Sequence, residues 1–200
     1  MEAVFIRHGQ AVSNLAIRGR LVGEEAPLTP EGRRQIEAAA HYLGPLVTTN
    51  VLHTSPLVRT KESAQLIAER CDLTVVIEPR LREIGKGDWT GMPVEAVIKL
   101  EGEIDIKHRH TFRPPGEGGE NWQDVGTRMA AFIEEQRQAG SKQLLMVSHD
   151  HPIRMGIGTL MGKPIEEWEN MPIANASITR LYYEDGFWQL DETLANKIVY

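Results

Sequence analysis

The sequence predicts an α/β fold in three layers: a mostly parallel mixed sheet with helices on both faces, built as one domain over residues 1–200. Three observations predict it. Short apolar runs rich in β-branched residues, among them Val4-Phe5-Ile6, Val51-Leu52 and Leu144-Leu145-Met146-Val147, read as buried strands. Segments with apolar residues at helical spacing alternate with those runs, which is the pattern of parallel strands joined by crossover helices. Late in the chain, Asp185-Gly186 separates two strand-like runs and signals a hairpin, which makes the sheet mixed.

Taken in order, each element arises from local chemistry. The strand at residues 4–6 runs straight into Arg7-His8-Gly9, and residues 8–28 then form a long polar connection with Asn14, Arg18, Arg20 and Gly23. Thr29-Pro30-Glu31 starts a helix with a hydroxyl cap, proline at the first helical position and a carboxylate at the positive dipole end. Ile36, Ala39, Ala40 and Leu43 repeat on one face, and Gly44-Pro45 stops the helix. Residues 51–54 read as the second strand. Ser55-Pro56 repeats the cap signal, so a helix is expected from there to about residue 70. Residues 73–77 form a third strand, 81–91 a glycine-rich loop with Glu83 and Trp89, and 94–100 a helix. Residues 105–119 read as a surface excursion carrying Lys107, His108, Arg109, His110 and Arg113. Residues 122–138 are helical, with Val125, Met129, Phe132 and Ile133 on one face. The strand at 144–147 is the most apolar of all and ends in Ser148-His149-Asp150-His151; a helix is expected from Pro152 to about residue 160. The hairpin of 177–183 and 187–190 closes the order.

Composition narrows the function classes. Two hundred residues suffice for a sizeable core without disulfide or metal staples. A net charge of −6 and the lack of a long basic run argue against a nucleic-acid partner. A single cysteine, Cys71, fits a reducing compartment, so a cytoplasmic location is expected. No secretory leader is read at the N-terminus, and no apolar run reaches the length of a membrane span. The apolar, aromatic-containing C-terminal region is a candidate homodimer interface.

Two apolar strands each end at a histidine, His8 and His149, and the strand at 51–54 leads into a helix whose first turn holds Arg59. If the three run parallel, these side chains meet at the carboxyl edge of the sheet, where open α/β folds bind ligands. The start of the Ser55 helix adds backbone donors and a positive dipole end. Arg7 and Arg59 each present a planar fork to phosphate oxygens. Such a set suits a phosphoryl group held while an imidazole attacks it. Flanking arginines keep that imidazole neutral and nucleophilic.

Arg7-His8-Gly9 followed by Asn14 resembles the opening of the histidine phosphatase superfamily, the phosphoglycerate-mutase-like proteins. The resemblance continues in order through Pro27-Leu28-Thr29 with Gly32, Ser55-Pro56-Leu57-Val58-Arg59-Thr60, the block from Leu81 to Gly91 around Glu83, and Val147-Ser148-His149. It implies a phosphoglycerate-mutase-like fold and a phosphatase acting on a small phosphorylated substrate. His8 would be the nucleophile that becomes phosphorylated and Glu83 the proton donor. Arg7, Asn14, Arg59 and His149 would form the phosphate pocket, with Arg20 and Asp150 as further candidate phosphate contacts. The implied chemistry uses no metal and no cofactor. Leu81, Ile84 and Trp89 surround Glu83 in sequence, and their bulk is expected to raise its pKa by desolvation.

The departures from that pattern set the alternatives. Ala11 stands where the family has a hydroxyl residue, which removes one hydrogen bond to phosphate or substrate. The segment Gly23-Glu24-Glu25-Ala26-Pro27 is short and lacks the common aspartate. Ser148-His149-Asp150 replaces the more usual His-Gly, and in the acid-phosphatase branch a His-Asp pair supplies the proton. Asp150 is therefore a rival acid, and Glu83 is preferred because its whole block matches. His149-x-His151 and His108-x-His110 lack the cysteine or carboxylate pattern of a metal site. The Lys107 to Arg113 cluster reads as a solvated loop, with a rim for a second anionic substrate group as the alternative. A phosphoglycerate mutase and a non-catalytic phospholigand module are the competing functions.

Overall fold

The computed structural model describes residues 1–15, 21–23, 25–105 and 107–191. Six strands, β1 (Glu2–Arg7), β2 (Val51–Thr54), β3 (Thr74–Ile77), β4 (Gln143–Ser148), β5 (Ile178–Glu184) and β6 (Phe187–Leu190), form one sheet in the order β3-β2-β4-β1-β5-β6. The first four in that order are mutually parallel. β5 pairs antiparallel with β1, and β6 with β5 across Asp185-Gly186, both at positive φ as a two-residue hairpin turn requires. The helices are α1 (Pro30–Leu43), α2 (Val58–Cys71), α3 (Val94–Gly102), α4 (Trp122–Gln138), α5 (Asp150–Leu160) and the one-turn α6 (Ile165–Trp168).

Alternation along the strands builds two cores, one on each face of the sheet. Val4, Ile6, Leu52, Leu145 and Val147 pack beneath α1 and α2 against Ile36, Leu43 and Ile67. Ala3, Phe5, Leu144 and Met146 pack on the other face against Met129, Phe132 and Ile133 of α4 and Ile153 and Ile157 of α5. Every residue of β4 is buried, as expected of a strand covered on both faces. Fully burying side chains the size of Ile6 or Leu145 contributes about 1.5–3 kcal/mol each, so the strands that end at the site are firmly held.

The cap of α1 is as expected: Thr29 Oγ1 accepts from Gly32 N at 3.0 Å. The same hydroxyl donates to Gln10 Oε1, which ties the segment after β1 to the helix. There the backbones approach so closely that a Cβ on Gly32 would lie 1.9 Å from Gln10 O, and one on Gly9 would lie 2.3 Å from Gly32 O. Only glycine fits at both positions.

Two helix starts and one added helix differ from the sequence reading. The second helix begins at Val58, not at Ser55-Pro56, and its N-cap Leu57 provides no side-chain bond. Ser55 is drawn away because its hydroxyl bonds His149 on β4's exit. The fifth helix starts at Asp150, two residues early; Pro152 is tolerated because first-turn amides have no helical acceptor. The short α6 was not anticipated.

Candidate active site

The register of the parallel strands brings the site together. Arg7 lies opposite Ser148, so His8 and His149 leave adjacent strands side by side with ring centroids 5.2 Å apart. His8 is buried, and its backbone is held on both sides: its N–H donates to Ser148 O, and its carbonyl accepts from Ala176 N and Asn175 Nδ2. Nδ1 of His8 lies 2.7 Å from Gly9 O. A carbonyl only accepts, so Nδ1 carries the proton and Nε2 the lone pair. Arg59 Nε donates to that Nε2 at 3.2 Å. Burial, then the charge of Arg59, pulls the His8 pKa down to about 3. The imidazole is therefore neutral at physiological pH, as the flanking arginines led us to expect.

A cavity of about 500 Å³ opens over His8, with Arg7, Asn14, Arg59, Glu83 and His151 among its walls. Arg7 donates from one terminal nitrogen to Ile173 O, and its buried Nε has no partner among the described residues. Asn14 Oδ1 accepts from Ala11 N at 2.9 Å, closing a turn that places the side chain at the rim. Ala11 is fully buried. Residues 21–23 are pinned to 91–93 by Val22 N to Met92 O and Gly91 N to Val22 O. Arg20 and Arg18 lie outside the described residues, as does Glu24. The expected amide donors at the start of α2 are only partly open, because Val58 N donates to Glu25 Oε2 at 2.9 Å. His149 sits fully buried behind the cavity wall, its Nε2 2.8 Å from Ser55 Oγ and its pKa lowered by burial.

Glu83 faces the same cavity from the glycine-rich loop, and its protonation is opposite to the expectation from sequence. Burial does push the carboxyl up, but His151, with Nδ1 at 3.6 Å, outweighs it and holds Glu83 below the usual carboxylate range. Burial likewise pulls His151 down, and Glu83 outweighs that and raises it. Leu81 does not crowd the carboxyl; it points into the α4–α5 core. The loop is braced from behind. Glu120 accepts from Gly85 N at 2.8 Å and from Arg128 Nε at 2.8 Å, while Arg128 also donates to the carbonyls of Arg80 and Glu83. His151, Glu120 and Arg128 were not assigned these roles from sequence, since no local spacing marks partners that meet only through the fold.

The rival groups have other partners. Asp150 pairs with Arg154 at 2.6 Å and is not among the cavity's lining residues. In the 105–119 excursion, Arg109 pairs with Glu169 and Arg113 with Asp124, so these cations are neutralised within the protein. The excursion is more than a solvated loop: Phe112 stacks on Trp89 at 5.5 Å, and Asp88 N donates to Pro115 O. The paired histidines also have protein partners, with Glu169 for His110 and Glu83 for His151. Among the described residues, no three His, Cys, Asp or Glu side chains converge as a metal site, and no helix is long and apolar enough to cross a membrane. Burial raises the Cys71 pKa, which disfavours the thiolate.

These pKa directions predict a titration. In imidazole NMR, His8 is expected to stay unprotonated until the pH approaches about 3, while His151 titrates above its ordinary value. Unfolded His8 takes up its proton near pH 6.5 and folded His8 only near 3, so between those values the unfolded state binds more protons. The contribution of His8 to stability therefore falls as pH drops through that window. A His8 resonance that titrates near 6.5 in the folded protein would contradict the site geometry.

Fold and site together define an α/β sandwich with a buried, neutral imidazole set between two arginines at the carboxyl edge of its sheet. The sequence profile of the histidine phosphatase superfamily (branch 1) matches residues 3–195, and the chain belongs to that superfamily. It is 32% identical over 195 residues to a probable phosphoglycerate mutase GpmB of Yersinia enterocolitica, covering 94% of this chain and 87% of that one. Among solved structures, a mycobacterial glucosyl-3-phosphoglycerate phosphatase complexed with VO3 superimposes with a TM-score of 0.79 at 28% identity, covering 95% of this chain and 97% of the other. A phosphoserine phosphatase from Entamoeba histolytica, in complex with 3-phosphoglyceric acid, gives a TM-score of 0.78 at 25% identity over 96% of this chain and 95% of that one.

Proposed function

We propose that this protein is a cytoplasmic phosphomonoesterase that hydrolyses a small phosphorylated metabolite through a phosphohistidine at His8, without a metal. The observation that carries the reading is the tautomer of His8: Nδ1–H is committed to Gly9 O, and the Nε2 lone pair stands beside Arg59 at the cavity. Nε2 attacks phosphorus, the P–O bond to the organic group breaks, and the leaving oxygen takes a proton. Arg7, Arg59 and Asn14 hold the phosphoryl oxygens, absorbing charge that develops on them. Arg20 is a further phosphate contact on the sequence resemblance alone, while His149, outside the cavity's lining, backs His8 from the neighbouring strand instead of touching the phosphate.

Glu83 and His151 supply the proton as a pair. In the free protein a proton shared by the pair favours His151, since Glu83 is held below its ordinary value and His151 above. A phosphate dianion bound beside it raises both pKa values, which favours a protonated Glu83 facing the leaving oxygen. In the second step Glu83 takes a proton from water as the water attacks the phosphohistidine, and Nε2 leaves. The pairing of Asp150 with Arg154 supports Glu83 over Asp150 as the acid.

A mutase reading has support in the names of the sequence relatives. Against it stands the pairing of Arg109 and Arg113 within the protein, which withdraws two cations of the 105–119 excursion from a second anionic group. The test compares free phosphate release from phosphorylated metabolites with interconversion of the two phosphoglycerates, primed by bisphosphoglycerate, in excess chelator. Phosphate release is expected to dominate. Fast primed interconversion with little free phosphate would establish a mutase, and no reaction of either kind would leave a phospholigand-binding module.

A further inference from the structure

We infer that the organic part of the substrate is uncharged and apolar, the size of a single ring, and that it occupies a second cavity beside the phosphate site. The inference rests on the phosphomonoesterase reading and adds the class of substrate. This cavity holds about 230 Å³, below the roughly 300–1,000 Å³ of sites for drug-sized ligands. Ile84, Lys86 and His151 line both cavities, so the two adjoin along the loop that carries Glu83. A phosphate on His8 with its leaving oxygen toward Glu83 directs its organic group across that shared wall.

The lining of the second cavity is aromatic. Trp89 and Phe112 stack at 5.5 Å, and Trp122 stands edge-on to His151 at 5.8 Å, with Ile84, Ile104 and Pro114 filling the remaining apolar wall. The charged groups at the cavity are paired with one another or with neighbours. Lys86 bonds Glu101 at 2.7 Å, Arg109 bonds Glu169, and Glu120 is held by Arg82 and Arg128. A carboxylate or second phosphate entering here meets cations already neutralised and the carboxylates of Glu101 and Glu120 beside them, which disfavours added negative charge. An uncharged ring displaces only water and gains contact with aromatic faces. The glucosyl-3-phosphoglycerate phosphatase and the phosphoserine phosphatase of similar fold are named for substrates with a glycerate or a seryl group; this lining selects against such charge.

Three alkyl phosphates test the assignment, chosen because their leaving alcohols are similarly basic and differ in shape and charge: 2-phenylethyl phosphate, glycerol 3-phosphate and 3-phosphoglycerate. The phenylethyl ester is expected to show the highest kcat/KM, at least about tenfold above glycerol 3-phosphate, as burial of a ring implies. Ile104→Trp, which fills the cavity, should collapse that ratio toward one, and Phe112→Ala, which removes half of the stack, should lower it. A preference for 3-phosphoglycerate, or an unaltered ratio in Ile104→Trp, overturns the substrate assignment while leaving the hydrolase standing. Failure to release phosphate from any of the three, with no acid-labile label on His8, removes the phosphomonoesterase reading itself.

Discussion

Replacing His8 with Ala is expected to abolish turnover, with a fall of at least about four orders of magnitude, and to abolish the phosphoenzyme with it. The expectation rests on how little else could serve. The neighbouring imidazole of His149 has its Nε2 tied to Ser55 Oγ at 2.8 Å, and it is fully buried. No shift of His149 into the cavity occurs without breaking that bond and the end of β4. The fold should survive the substitution, because the contacts that hold residue 8 in place run through its backbone to Ser148, Asn175 and Ala176. A rapid quench with labelled substrate should therefore leave phosphate on the unaltered protein, labile to acid and stable to base, and none on the His8→Ala protein. Label retained by that variant would remove His8 from the mechanism.

Glu83→Gln is expected to cost roughly two to four decades in hydrolysis of alkyl phosphates, the usual worth of proton transfer to a departing oxygen. A nitrophenolate departs well without a proton, so phosphoenzyme formation from nitrophenyl phosphate should lose far less. The glutamine keeps the shape of the side chain but carries neither charge nor transferable proton, so His151 should also lose its raised pKa, a change visible in the same imidazole titration. Asp150→Asn should act weakly on both classes of substrate, since Asp150 is engaged by Arg154 and Arg154 in turn by the carbonyl of Glu169. Leaving-group-dependent loss in Asp150→Asn, with none in Glu83→Gln, would reverse the acid assignment and place the mechanism nearer the acid-phosphatase branch.

The sequence by itself determined the order and type of nearly every element, and it did so through contiguous residues. Thr29-Pro30 capped α1, the spacing of Val125, Met129, Phe132 and Ile133 marked the buried face of α4, and Asp185-Gly186 turned the β5–β6 hairpin. Those signals are local because they report backbone dihedrals and the periodicity of one stretch of chain. The juxtaposition of His8, Arg59 and His149 was also legible, since strands that run parallel and end together must deliver their next residues to one edge. Beyond the neutral His8, the tertiary structure decided the electrostatics. Ser55 read as a helix cap until its hydroxyl met His149, 94 positions away, and the helix start moved to Val58. The bulk around Glu83 promised a raised pKa, and His151, arriving from α5, reversed it. Arg109 read as part of a solvated loop, with a substrate-anion rim as the alternative, until Glu169, 60 positions along the chain, paired with it. Charge and proton affinity depend on which groups lie within a few ångströms in space, and sequence spacing carries no record of that distance.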